Sequence, residues 1–194
     1  MAKLTSLCIY CGSRSGKDEV HRAAAARLGT LLGERGVRMV FGGGRIGLMG
    51  VAADAALAAG GKVVGVIPGH LHERELGHDG VSELVVVDSM HARKEKMFDL
   101  ADAFAVLAGG LGTLDEAIEI ITWKQLGLHQ KPIVLVDCNG YWRPFRELIE
   151  NAVAGHFAAP EARQLFTVVS RVEDIFEVIA AAPEPGPASA SEGL

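Results

Sequence analysis

Apolar residues in this chain fall into short, nearly unbroken runs, and longer stretches of helical periodicity lie between them. The runs at Leu4–Tyr10, Arg38–Phe41, Lys62–Ile67, Leu84–Val87, Ala103–Leu107 and Pro132–Val136 predict strands covered on both faces, because a half-exposed strand would alternate polar with apolar. Amphipathic stretches predict helices at Asp18–Glu34, Gly47–Ala59, Ser89–Leu100 and Thr113–Leu126. Two more helices are expected around Trp142–Ala154 and Val172–Ala181, with a short strand at Phe166–Val169 between them. Strand and helix alternate with short connections, which predicts an α/β fold: a doubly wound, mostly parallel sheet with helices on both faces. Residues 1–182 read as one domain, and residues 183–194, rich in Pro, Ala, Ser and Gly, read as a disordered tail with nothing to bury.

Composition narrows the function classes. The 194 residues are 49% hydrophobic and 22% charged, which suits a folded domain. A net charge of −5 argues against a nucleic-acid binder, which needs a cationic face to release phosphate counterions. Aromatic residues at 6% leave little for a base-stacking platform. No apolar run is long enough to span a membrane, and the start Met1-Ala2-Lys3-Leu4-Thr5 lacks the features of a signal peptide. An odd count of three cysteines suits a reducing compartment, so the cytoplasm is expected.

In a Rossmann-like sheet of this kind, ligands bind beyond the carboxyl ends of the strands. That directs attention to the loops Cys11–Gly16, Gly42–Gly47 and Ala108–Thr113. Ser13 in the first loop and Gly42, Gly43 and Gly44 in the second are candidate nucleotide-loop residues. Gly42, Gly44 and Gly47 have G-x-G-x-x-G spacing, but this loop follows the second strand rather than the first. No acidic residue ends the next strand, Val63-Val64-Gly65-Val66-Ile67-Pro68, to hold a ribose hydroxyl, so a nicotinamide site is not expected. Cys8-Ile9-Tyr10-Cys11 has redox spacing, yet both thiols fall in or at the end of a strand and point in different directions. His70, His72 and His78 read as solvated loop histidines, and no metal is assigned.

Two segments carry chemistry. In Ser89-Met90-His91-Ala92-Arg93-Lys94-Glu95-Lys96 the serine is an N-cap, which places Arg93, Lys94 and Lys96 in the first two turns of a helix. Cations there oppose the macrodipole, a local conflict expected either of a solvated basic face or of an anion site. In Ala108-Gly109-Gly110-Leu111-Gly112-Thr113-Leu114-Asp115-Glu116 a buried strand runs through glycines into a helix start, which is a phosphate cradle without a Walker lysine. Thr113 to Glu116 also fits a capping box, in which Glu116 would only reach back to the Thr113 amide.

These segments, together with Gly42-Gly43-Gly44-Arg45-Ile46-Gly47-Leu48-Met49-Gly50, resemble the LOG ("lonely guy") family of cytokinin riboside 5′-monophosphate phosphoribohydrolases. The resemblance continues through Ile121-Thr122-Trp123-Lys124-Gln125-Leu126-Gly127 and Asn139-Gly140-Tyr141-Trp142, and covers roughly residues 4 to 180. The family has proline before its double glycine where this chain has Ala108. The resemblance implies a nucleotide-binding domain that hydrolyses the N-glycosidic bond of an adenine-type nucleoside 5′-monophosphate, with Arg93 and Glu116 catalytic. It implies substrate contacts at Glu75, Met90, Lys94, Gly109, Gly110, Leu111, Gly112, Thr113, Leu114, Asp115 and Thr122. It also implies a homodimer with the site near the subunit interface, and no cofactor. Arg93 would either orient Glu116 or steady the nucleotide. Amino-acid decarboxylation would need a Schiff-base lysine in a recognisable pocket, which the sequence does not offer. The competing expectation is a non-enzymatic carrier of nucleotide or molybdenum cofactor with a similar glycine loop, against which the pairing of Arg93-Lys94 with Glu116 speaks.

Overall fold

The computed structural model describes residues 4–75 and 77–183, without the side chains of residues 73–75. Seven strands, β1 (Ser6–Tyr10), β2 (Arg38–Phe41), β3 (Val63–Pro68), β4 (Glu83–Val87), β5 (Ala103–Val106), β6 (Ile133–Val136) and β7 (Thr167–Val169), form one sheet in the order β4-β3-β2-β1-β5-β6-β7. Every pairing is parallel. β1 lies at the centre, with Ile9 opposite Phe41 of β2 on one side and Ala105 of β5 on the other. The strands that the apolar runs predicted are all present, with ends shifted by one or two residues.

Six α-helices connect the strands, α1 (Glu19–Arg35), α2 (Gly47–Ala58), α3 (Gly69–Glu75), α4 (Met90–Asp99), α5 (Leu111–Gln125) and α6 (Arg143–Ala154), and α7 (Ile175–Ala181) follows the last. Parallel crossovers are right-handed, so reversing the direction of winding moves the helices to the opposite face. The chain winds outward from β1 to β4, then jumps back past β1 to β5. Leu28 and Leu32 of α1, Ala52 and Ala56 of α2 and Ile175 of α7 accordingly pack on one face with Leu7, Ile9 and Phe41. Met97 of α4, Ile120 of α5 and Phe145 of α6 pack on the other with Cys8, Tyr10 and Phe104. The point of reversal, between β1 and β5, leaves a crevice at the carboxyl ends of those strands.

Local chemistry explains the element ends. Gly36 closes α1 in the left-handed conformation, with φ of 65°, and its N–H bonds the Gly33 carbonyl. Ser89 caps α4, its hydroxyl accepting from the Ala92 N–H at 3.1 Å. Two expectations need correction. The segment of His70 and His72, expected as a loop, forms the short helix α3, whose seven residues are too few and too polar to show helical periodicity. Helix α5 starts at Leu111 with Gly110 as N-cap, two residues ahead of the expected start, so no capping box forms at Thr113. Of the expected tail, residues 184–194 lie outside the described residues. Among the described residues no helix is long and apolar enough to cross a membrane.

Candidate active site

The crevice at the end of β1 is a cavity of about 270 Å³. Its floor is Ile9 and Cys11 from β1 and its exit, and one wall is Gly110, Leu111, Gly112 and Thr113 at the start of α5. Arg93 and Met90 of α4 enter from the other side, and Glu116 projects into it from the second turn of α5.

The early start of α5 decides the role of Glu116. At N3 of a helix capped by Thr113 it would have bent back to the backbone. Three residues further into a helix capped by Gly110, it turns toward the sheet and is only 8% exposed. Burial pushes its carboxyl up from 4.5 to about 7; the Arg93 charge opposes this, Asp115 adds to it, Lys94 opposes it and Glu119 adds to it. A carboxyl that exchanges its proton near neutrality is suited to acid–base work.

Arg93 is buried in the wall of the cleft. Its Nη2 donates to the Gly42 carbonyl at 2.8 Å, tying α4 to the end of β2. Nη1 lies 3.8 Å from the Met90 sulfur, and Nε is buried with no partner among the described residues. The side chain that lines the cleft thus keeps a donor that the described residues do not use.

Lys94 points elsewhere. Its ammonium reaches Glu119 at 2.9 Å and Asp115 at 3.2 Å, which fastens α4 to α5. Burial alone would lower its pKa, but hydrogen bonds and charge from Glu119 and Asp115 raise it. The three cations at the start of α4 thus divide: Arg93 faces the cleft, Lys94 is bound by carboxylates and Lys96 is exposed to solvent.

Most of the other expected residues meet at this place. Ser13, Met90, Asp115 and the glycines of the α5 start line the cavity. Gly42 also lines it, and its carbonyl is taken by Arg93. Gly43 and Gly44 do not; the Gly43 carbonyl accepts from the His78 N–H at 2.9 Å, and Gly44 bridges Gly77. Gly109 lines an adjoining cavity, and Leu114 of α5 packs, partly buried, against the core. Thr122 is exposed three turns along α5, its hydroxyl bonded to the Ile118 carbonyl at 2.8 Å, and does not reach this cleft. The Glu75 side chain lies outside the described residues. Sequence reasoning missed Leu71 and Met49 on the rim. It also missed Tyr141, whose hydroxyl donates to the Gly109 carbonyl. Cys8 and Cys11 are buried in opposite cores, which agrees with a structural role; His78, expected as a solvated loop histidine, is instead buried at 6% exposure and pairs with Asp54 at 2.9 Å. No cluster able to hold a metal ion occurs among the described residues. A larger depression of about 840 Å³ at the β7 edge holds Arg163 and Glu150, already paired at 2.8 Å, and lies away from the switch point.

Residues 49–179 match the family described as "possible lysine decarboxylase". The cytokinin riboside 5′-monophosphate phosphoribohydrolase LOG of Oryza sativa subsp. japonica is 44% identical over 164 residues, 84% of this chain and 68% of that protein. The cytokinin riboside 5′-monophosphate phosphoribohydrolase LOG7 of Arabidopsis thaliana is 40% identical over 174 residues, 90% of this chain and 80% of that protein. The chain belongs to the LOG family. A molybdenum cofactor binding protein from Rippkaea orientalis superposes with a TM-score of 0.71 at 20% identity, covering 93% of this chain and 98% of that one; the likeness is one of fold. Within the LOG family the decarboxylase description does not suit this cleft. No lysine lines it among the described residues, and Lys94 is committed to Asp115 and Glu119.

Proposed function

We propose that this chain hydrolyses the N-glycosidic bond of an adenine-type nucleoside 5′-monophosphate, either a cytokinin riboside 5′-monophosphate or AMP, giving free base and ribose 5-phosphate. One observation carries the reading: a buried carboxyl poised near neutrality stands one turn inside the open helix start that would hold the phosphate. The first-turn N–H groups of α5 have no partner within the helix and face an anion favourably. With the phosphate held there, the ribose lies over Glu116. Cleavage develops positive charge on the ribose, which the Glu116 carboxylate stabilises. Water adds to C1′ as the C1′–N bond breaks and its electron pair leaves with the base. Glu116 takes the proton from that water, and the proton ends on the released base. Arg93, anchored at Gly42, turns its remaining donors to the nucleotide and holds down the pKa of Glu116. The carrier reading rests on fold likeness alone and does not account for this carboxyl.

We also propose a cytoplasmic homodimer. Three buried free thiols accord with a reducing compartment. Ile118 and Thr122 lie exposed four residues apart on α5, a face that a second copy would cover.

Chromatography of AMP and isopentenyladenosine monophosphate incubated with the protein tests the activity. Wild type is expected to yield base and ribose 5-phosphate, and Glu116→Gln to lose roughly 10²–10⁴-fold in turnover. Equal turnover in the variant would defeat the assignment of Glu116; intact nucleotide with detectable binding would favour a carrier.

A further inference from the structure

We infer that Tyr141 is a positioning residue that fixes the orientation of the Gly109–Gly110 peptide and so aims the Gly110 N–H into the phosphate cradle. The inference rests on the proposed function, in which the start of α5 holds the nucleotide phosphate.

The peptide needs an external restraint. Both of its flanking residues are glycine, so no side chain of its own limits its rotation, while Gly109 is closely packed, a Cβ there standing 2.1 Å from Thr113 Oγ1. A Cβ on Gly110 would meet nothing within 4 Å, so packing does not oppose the rotation on that side. The chain also has Ala108 before the two glycines, with no ring to stiffen the approach.

Hydrogen bonds supply the restraint, one carbonyl after another. The Ala108 carbonyl accepts from the Gly12 N–H at 3.0 Å, and the Gly110 carbonyl accepts from the Leu114 N–H at 3.1 Å. Between them, the Gly109 carbonyl accepts from the Tyr141 hydroxyl. In a planar trans peptide the N–H points opposite to the carbonyl, so the Gly110 N–H faces away from Tyr141. Tyr141 lines the adjoining cavity with Gly109 and His21, whereas Gly110 also lines the cleft that contains Glu116. The N–H is thereby turned to the cleft side. Were the peptide to rotate, a carbonyl oxygen would replace a donor at the place where an anion binds.

Tyr141 is itself held firmly. It follows a left-handed turn, with φ of 58° at Asn139 and 75° at Gly140. The next residue, buried Trp142, donates its N–H to Asp137 Oδ1 at 2.8 Å. The edge of His21 meets the tyrosine ring with centroids 5.4 Å apart. The phenol thus reaches the loop after β5 from the turn that follows the neighbouring strand β6.

Tyr141→Phe keeps the ring and removes only the hydroxyl. Calorimetry with ribose 5-phosphate, steady-state kinetics with AMP and thermal melts of the full chain form the test. A hydrogen bond to a charged ligand is worth roughly one factor of ten in affinity. The variant is therefore expected to raise the Kd for ribose 5-phosphate and the KM for AMP about tenfold, with kcat within about twofold and Tm unchanged. Unchanged Kd and KM, or a lowered Tm without them, would overturn the role of Tyr141 and leave the cradle standing. Failure of wild type to bind ribose 5-phosphate would instead remove the cradle itself, and the role of Tyr141 with it.

Discussion

The loops Gly42–Gly47 and Gly109–Thr113 share a local design, glycines between a strand end and a helix start, and use it for opposite ends. In the first, glycine makes room for protein. A Cβ on Gly42 would stand 1.9 Å from Arg93 Nη2, and one on Gly47 would stand 2.3 Å from the Ser13 carbonyl carbon. In the second loop Gly109 is packed in the same way, a Cβ there standing 2.1 Å from Thr113 Oγ1, but a Cβ on Gly110 or Gly112 would meet nothing within 4 Å. Gly42, Gly47 and Gly109 permit close packing, whereas Gly110 and Gly112 leave open space beside backbone donors. A glycine signature therefore identifies a ligand loop only when its missing side chains leave a vacancy, and a loop filled by the protein serves the site indirectly.

Substitution at Gly42 breaks this comparison most sharply. Gly42→Ala should expel the Arg93 guanidinium from its carbonyl anchor. Turnover is expected to fall about 100-fold, with a loss of about 2 kcal/mol in stability from overpacking. Kinetics and urea unfolding measure both. Wild-type turnover would show that Arg93 acts without its anchor.

The second loop is probed through the carboxyl that it aims. Because the pKa of Glu116 is raised by folding to about 7, the native state binds the extra proton between the unfolded value of 4.5 and that pH. Stability contributed by this group is thus greatest below 4.5 and falls as pH rises through about 7. Glu116→Gln should accordingly exceed wild type at pH 8 by about 3 kcal/mol, and the advantage should shrink toward pH 4.5. Denaturant midpoints across that range would reveal it; a constant difference would place the ionisation elsewhere.

The smallest effect comes from filling the vacancy. Gly112 lies in the first turn of α5, where alanine is the better helix former, so Gly112→Ala should add about 0.5–1 kcal/mol to stability. The new methyl enters the cleft, and KM for AMP should rise a few-fold. Together with Gly42→Ala, this pair would set a destabilised protein against a stabilised one, each impaired at the same site.

What could be read from the chain follows the range of the interactions. Buried strands and long helices are written in local periodicity, and the N-cap at Ser89 is a local hydrogen bond. The start of α5 was misplaced because T-x-x-E satisfies a local pattern, while glycine at the true N-cap leaves no side-chain signal. Helix α3 is too short for periodicity to register. Arg93 and Glu116 were legible as residues, but the commitment of Lys94 to Asp115 and Glu119 depends on how α4 and α5 cross. The contact of Tyr141 with Gly109 spans 32 positions, and no local pattern announces it.

The placement of Cys8 and Cys11 on opposite faces of the sheet has a practical consequence. Both are buried in separate cores, Cys138 is 9% exposed, and burial raises all three thiol pKa values. Maleimide needs an accessible thiolate, and none of these supplies one readily. A cysteine introduced at exposed Glu95, on the outer surface of α4, would therefore take up a fluorophore or spin label by itself. The protein offers a background on which a single probe can report from the helix that carries Arg93, with every native cysteine left in place.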